Sequence, residues 1–381
     1  MAPIATAAPA EALVADVKKL ALVDAAPLPP APAPASIPAG KWFSETGLPE
    51  SEYPYAHLLP TWDQETKYVP LGEFTHVDPG HKAKADADPR SFLAGGAVDD
   101  LSPKFGSEVT GVQLSALDTH AREQLALYVA ERGVVVFRDQ DFIDQDPRWQ
   151  VDNWGAFFGR NHIHPTSGQP KGAPELHLVY RAPDSPYNFP FKQKLNSKGW
   201  HSDVSYEAQP PGLTALFLYD SPPSGGDTLY LDQREAYNRL SPSFAAYLET
   251  LQVVHSGFEQ AAYARSGERG PERTVRREPV KNTHPLVRRH PVTGEKALYV
   301  TRVFSRSIVG LKQEESDAIL NLLYDHIENG IDFQIRARWK PRTVVLWDNR
   351  TTAHTAIADF DSTPAKRHGA RITPQAERPF L

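Results

Sequence analysis

Apolar and polar positions change their rhythm along the chain. Residues 1–40, ending in APLPPAPAPASIPAG, follow neither a helical nor a strand period. Proline fixes φ and removes a donor, so this stretch is expected to be a disordered tail. Residues 41–95 mix Trp, Tyr and Pro with polar runs and are expected to form an extended arm on a main domain over 96–378. Regular structure should begin near Phe105, where FGSEVTGVQLS reads as short strands punctuated by glycine. LDTHAREQLALYVAERG then repeats apolar residues every four positions (Leu117, Ala121, Leu125, Val129). Asp118 suits its N-cap and Gly133 its C-terminal stop. VVVFRD reads as a buried strand, and Ser241-Pro242 opens another helix. QEESDAILNLLYDHIENG is a further amphipathic helix, while LTALFLYD, DTLYLD, KALYVTRVF, DFQIRARW and TVVLWDN are strand-like. Many strands, few helices and 35 prolines predict a mostly-β fold, a sandwich or jelly roll with flanking helices. The polar, basic segment 258–283 is expected to be a lid-like or disordered insert.

Composition narrows the chemistry. The chain of 381 residues contains no cysteine, which excludes disulfides, zinc–thiolate sites, iron–sulfur clusters and cysteine nucleophiles. Any metal must sit on His, Asp or Glu. A net charge of −6 gives no reason to expect nucleic acid or an anionic membrane as a partner. No apolar run is long enough to span a bilayer, and the start lacks a secretory or mitochondrial leader pattern. A soluble, cytoplasmic protein is the expectation, and a homo-oligomer is left open.

The chemistry concentrates in Gly199-Trp200-His201-Ser202-Asp203. On a strand, residues i and i+2 share a face, so His201 and Asp203 would aim at one point. His354, just after the strand Thr343–Trp347 and the turn Asp348-Asn349-Arg350, is the best third ligand. Two histidines and one carboxylate form the facial set of non-haem iron(II) oxygenases. A lone His-x-Asp is weak, and His162 and His164 make a rival same-face pair. Open iron positions call for a 2-oxo acid, whose far carboxylate needs a cation. Arg367 and Arg371 lie four apart in KRHGARITPQAERP, and Gly225-Gly226-Asp227-Thr228 offers a hydroxyl.

Taken together these segments resemble the taurine dioxygenase family of iron(II)/2-oxoglutarate enzymes, and most closely its fungal sulfonate dioxygenases. The resemblance covers roughly residues 105–378 and rests on GSEVTGVQLS, ERGVVVFRDQ, GWHSDVSYE, SGGDTLY, HPVTGEKALYV, the WDNR…AH run and RITPQAERP. It implies a double-stranded β-helix, the jelly roll. It implies iron(II) on His201, Asp203 and His354, and 2-oxoglutarate, used with O2, on Thr228 and Arg367. It further implies that Arg371, His164 and the Val204 N–H hold a substrate sulfonate. The reaction implied is hydroxylation beside the sulfonate, giving sulfite and an aldehyde with succinate and CO2. One departure concerns the amine of taurine: the matching positions are Ser167 and Asn196, and neither carries negative charge. Alkyl or hydroxyalkyl sulfonates and sulfate esters therefore fit about as well as taurine. Rival readings are a same-fold oxygenase acting on a carboxylate or purine, a non-catalytic jelly-roll binding protein, and a zinc hydrolase.

Overall fold

The computed structural model describes residues 53–61, 66–181, 195–266, 275–360 and 366–381. The 1–40 tail lies outside the described residues. Ten strands position the site. In chain order they are β1 (Ala97–Asp100), β2 (Ser107–Thr110), β3 (Val134–Phe137), β4 (His177–Arg181), β5 (Leu213–Asp220), β6 (Thr228–Asp232), β7 (Gln334–Ala337), β8 (Val344–Asp348), β9 (Thr352–Ala356) and β10 (Arg367–Ile372). One seven-stranded sheet runs β1-β2-β3-β8-β5-β10-β4, and a smaller sheet runs β7-β6-β9.

The apolar runs explain why these sheets stack. Along a strand, alternate side chains face opposite sides. On one side of the large sheet Val135, Phe137, Ala215, Phe217, Val344, Leu346 and Ile372 join a core with Leu125 and Val129 of helix α1 (Thr119–Arg132). On the other side Val134, Val136, Leu216, Leu218, Val345 and Trp347 pack on Tyr230, Ile335 and Ala337 of the small sheet. Both faces of the large sheet are covered, so its central strands are continuous apolar runs rather than alternating ones. Burying each such side chain contributes roughly 1.5–3 kcal/mol.

Helix α1 begins and ends where its sequence dictates. The Asp118 side chain accepts from the Ala121 N–H at 2.8 Å. Gly133 closes the helix at φ +73°, a left-handed conformation that favours glycine. The Ser241-Pro242 start gives a helix over Pro242–Leu248, and helix α3 spans Gln313–Glu328. Two strand readings were too generous. In KALYVTRVF only Lys296–Leu298 is a strand, and Ser305–Ile308 forms another in a separate sheet. In FGSEVTGVQLS the strand stops at Thr110 and a 3-10 turn follows over Leu114–Ala116. Segment 258–283 opens with helix α2 (Phe258–Arg265), and its Val275, Arg276 and Arg277 are buried. Residues 267–274 lie outside the described residues. Among the described residues no helix is long and apolar enough to cross a membrane.

Candidate active site

His201, Asp203 and His354 do converge, but not as strand alternation predicts. His201 belongs to no strand. It forms a single antiparallel bridge with His354, each backbone N–H donating to the other's carbonyl at 3.0 and 2.9 Å. His354 follows the turn after β8, as expected, and lies on a strand of its own, β9. From Asp203 the chain enters a turn, and Asn349 sets it. Asn349 Oδ1 accepts from the Asp203 N–H at 2.6 Å, and its Nδ2 donates to the Asp203 carbonyl at 3.1 Å and to that of Pro211 at 3.3 Å. Val204 follows at φ +39°, a region that a β-branched residue rarely adopts. The result is a compact set of ligand atoms, all within 4.8 Å of one another. His201 Nε2 stands 3.4 Å and His354 Nε2 3.6 Å from Asp203 Oδ1. His201 Nδ1 donates to the Gly199 carbonyl at 2.7 Å, which leaves its Nε2 lone pair facing the cluster. Tyr230 stacks on the His354 ring and Trp347 packs against it at 5.0 Å.

The electrostatics suit a cation. Burial pushes the Asp203 carboxyl up, but Arg371, His354 and His201 outweigh it and hold it well below the usual carboxylate range. Burial, then the neighbouring His201, pushes His354 well below 6.5, so it is a neutral imidazole. Asp203 Oδ2 and His354 Nδ1 are buried without a hydrogen-bond partner among the described residues. A buried carboxylate oxygen left in this way is costly unless a cation meets it. Two imidazoles and one carboxylate with further positions open fit iron(II).

Two arginines of the site stand on β10. Arg367 and Arg371 sit four residues apart on the strand, and both are buried. Arg367 Nε donates to the Gly226 carbonyl at 3.0 Å and its NH2 reaches Thr228 Oγ1 at 3.5 Å. Trp339 Nε1 donates to the same hydroxyl at 3.3 Å. No carboxylate pairs with Arg367 among the described residues, and burial pushes its guanidinium down to about 10. The β6–β9 register places Tyr230 opposite His354 and Thr228 opposite Ala356, so Thr228 lies two register positions from His354 and on the same face. Arg371 differs. Its NH1 donates to Asp203 Oδ1 at 2.7 Å and its NH2 to His177 Nδ1. The His164 ring packs on His177 at 4.2 Å between centroids. Burial, then Arg371, pushes both histidines well below 6.5. No hydrogen bond from the Val204 N–H occurs among the described residues.

The sequence reading passed over Asn349, His177 and a buried arginine pair. Arg276 NH2 holds the carbonyls of His164 and Ser167 at 2.8 and 2.5 Å. Arg277 pairs with Glu207 at 2.6 Å, and Glu207 also meets His162 at 2.9 Å. Burial pushes Glu207 up, but His162 and Arg277 hold it down at about 2. His162, the rival ligand, is thus committed to this ion pair. Ser167 Oγ meets His177 Nε2 at 2.8 Å, and Asn196 Oδ1 accepts from the Lys198 N–H at 3.0 Å within its own exposed loop.

A sequence model of the taurine catabolism dioxygenase TauD, TfdA family matches residues 97–373. The chain belongs to this family. As a TauD/TfdA chain it is a dioxygenase, and its relatives agree. It is 46% identical over 337 residues to an alpha-ketoglutarate-dependent sulfonate dioxygenase of Saccharomyces cerevisiae, covering 87% of this chain and 79% of that one. It is 40% identical over 330 residues to the alpha-ketoglutarate-dependent dioxygenase cnsM of Penicillium expansum, covering 86% and 90% respectively. A crystal structure of a taurine dioxygenase from Burkholderia xenovorans aligns with this TauD/TfdA chain at a TM-score of 0.60 and 30% identity, covering 75% of this chain and 92% of that one.

Proposed function

We propose that this chain is an iron(II)- and 2-oxoglutarate-dependent dioxygenase that oxidises the carbon bearing a sulfonate and thereby releases sulfite. His201, Asp203 and His354 hold the metal. When bound, iron(II) with 2-oxoglutarate and O2 supplies the oxidising chemistry, with succinate and CO2 as co-products. Everything else falls to the chain's own side chains. Arg367 takes the far carboxylate of 2-oxoglutarate through its guanidinium fork, and Thr228 adds its hydroxyl. Arg371, the Val204 N–H and His164 bind and orient the sulfonate, whose three oxygens can use more donors than a planar carboxylate can. The buried walls of Trp347, Tyr230 and Trp339 exclude water and strengthen these contacts. Once the carbon carries both hydroxyl and sulfonate, the O–H proton leaves and a C=O forms. The C–S bond breaks, its electron pair departs on sulfur, and aldehyde and sulfite result. The two facing sheets, with the metal cluster beside their shared interior, support reading the fold as a double-stranded β-helix. Iron(II) is best kept loaded in a reducing compartment, and the cytoplasm is where we place the enzyme.

The observation that carries this reading is Arg367, a buried guanidinium with only neutral hydrogen-bond partners among the described residues, one of them Thr228 on the strand that pairs with the His354 strand. A zinc hydrolase or a passive binding module has no use for it. The yeast relative's name supports a sulfonate as substrate. Ser167 and Asn196 are neutral, and Arg276 stands behind Ser167, so a substrate ammonium gains nothing there. A plain or hydroxylated alkyl sulfonate should be at least as good as taurine. The test is sulfite release and oxygen uptake with taurine, a hydroxyalkyl sulfonate and a plain alkyl sulfonate, each with iron(II) and 2-oxoglutarate. Sulfite from none of them, alongside turnover of a sulfate ester, carboxylate or purine, would overturn the sulfonate reading and leave the dioxygenase reading standing.

A further inference from the structure

We propose that His177 is a positioning residue for the substrate: it fixes the fork of Arg371, the arginine that takes the sulfonate, by accepting a hydrogen bond from it. The proposal rests on the sulfonate reading above. A guanidinium carries N–H donors and no acceptor. In the contact between Arg371 NH2 and His177 Nδ1 the ring nitrogen must therefore offer its lone pair. The ring proton then sits on Nε2, which donates to Ser167 Oγ at 2.8 Å. The register explains why these two side chains meet. Arg371 on β10 lies directly opposite His177 on β4, and residues so paired project from the same face.

The ring itself is held from several sides. His164 packs on it at 4.2 Å, Ser167 fixes its far nitrogen, and Arg276 ties down the carbonyls of both His164 and Ser167. Burial keeps His177 neutral, so it serves Arg371 as an acceptor and adds no like charge. Asp203 takes the other arm of the guanidinium, through NH1 at 2.7 Å. Arg371 is thus pinned at two points, one on the metal-binding carboxylate and one on His177. With the second point removed, the guanidinium can swing about the first. The sulfonate would then meet misdirected donors and bring its carbon to the wrong place, and a misplacement of ~1 Å costs on the order of a hundredfold in rate.

The experiment compares His177→Leu, His177→Asn and His177→Gln using butanesulfonate. The Asn amide can stand where Nδ1 stands; the Gln amide reaches only the Nε2 position. Four quantities are read: KM and kcat for butanesulfonate, KM for 2-oxoglutarate, the ratio of succinate to sulfite, and butanesulfonate binding to protein loaded with iron(II) and 2-oxoglutarate without oxygen. His177→Leu and His177→Gln should weaken sulfonate binding about tenfold or more, as expected for losing a hydrogen bond to a charged group. Both should form succinate in excess of sulfite, with the 2-oxoglutarate KM held within about twofold. His177→Asn should restore most of the binding and the coupling. If His177→Leu does not fold, the contrast between Asn and Gln decides. Unchanged sulfonate binding in the Leu or Gln variant, or an Asn variant as impaired as Gln, would overturn the proposal. Wild-type enzyme that releases no sulfite from any sulfonate would bring down the underlying reading as well, and is told apart because the failure is then in the parent protein.

Discussion

Arg367 and Arg371 occupy one strand, are both buried, and are separated by four residues, yet they live in different electrostatic worlds. Arg367 touches a backbone carbonyl, a threonine hydroxyl and the neighbourhood of an indole, and none of these neutralises it. Arg371 is already bonded to Asp203, the carboxylate of the candidate metal site. Burying a charge is expensive without a partner. Arg367 therefore holds a standing demand for an anion from outside the chain, which suits a co-substrate common to every turnover. Arg371 has that demand met from within, and any anion it takes must share it with Asp203. On the proposed assignment the far end of the site would be a dedicated clamp, and the near end would couple substrate binding to a metal ligand.

The strongest way to break this contrast is to remove what both ends serve. Alanine at His201, Asp203 or His354 should abolish iron(II) binding, measured by equilibrium dialysis, and sulfite release with it. A His354→Ala protein with near-normal succinate formation would show that the cluster is not the metal site. Arg371→Ala comes next and should do two things. It should weaken sulfonate binding, and it should strip a buried carboxylate of its partner, a loss worth ~3–5 kcal/mol when one member of a buried pair is removed. The metal-free protein should melt markedly lower, and iron(II) should recover more of the loss than it adds to the wild type. Arg367→Ala has no carboxylate to orphan, so its effect should be confined to 2-oxoglutarate: a KM higher by one to two decades, from a charged hydrogen bond worth ~1.5–3 kcal/mol. Equal effects of the two substitutions on metal-free stability would erase the distinction.

How much of this could be read from the chain alone follows from distance along it. Local signals worked: the Asp118 cap, the Gly133 stop and the Pro242 start act within a turn of themselves. The apolar run of β5 was legible because a strand covered on both faces needs no alternation. His201, Asp203 and His354 do come together, but the argument that joined them fails in detail. His201 and Asp203 meet through a turn and the Asn349 clamp, not along a strand. Asn349 is 146 positions from its partner, and His177 lies 194 from Arg371. Nothing local marks either: strand register brings His177 to Arg371, and the packing of two distant turns brings Asn349 to Asp203. Arg276 and Arg277 looked like solvated charges of an insert and are instead buried among backbone carbonyls and Glu207.

Acid separates the two ends in a gentler way. The neighbours of Arg371 include titratable imidazoles, while the hydrogen-bond partners of Arg367 are not titratable. His164 and His177 have pKa values pushed below 6.5 by burial first and Arg371 second, and burial followed by Arg288 pushes His284 down to about 4. A histidine whose folded pKa is depressed binds protons more readily when unfolded. Its contribution is complete above the unfolded value near 6.5 and is lost as pH falls toward the folded value. For His284 the full difference is on the order of 3 kcal/mol. The melting temperature of the metal-free protein should be nearly flat from pH 8 to 7 and fall steadily from 6.5 to 5. A curve that stays flat to pH 5 would mean that these rings are not held neutral.

The smallest expected effect tests the fine structure of the Arg367 end. Thr228 Oγ1 accepts from Trp339 Nε1 at 3.3 Å and faces Arg367 NH2 at 3.5 Å. With donors on two sides, its own O–H is left to point at the ligand carboxylate, which makes the hydroxyl a neutral donor beside a charged one. Neutral hydrogen bonds contribute ~0.5–1.5 kcal/mol, about threefold to tenfold in affinity. Thr228→Val keeps the branched shape and removes the hydroxyl, so the 2-oxoglutarate KM should rise by that factor while the sulfonate KM stays put. Thr228→Ser keeps the hydroxyl and should recover most of the loss. The register makes the prediction directional: Thr228 on β6 sits two register positions from His354, whereas the Arg371 contacts are to Asp203 and His177. A Thr228→Val enzyme impaired toward sulfonate and indifferent to 2-oxoglutarate would mean that the two arginines have been assigned to the wrong anions.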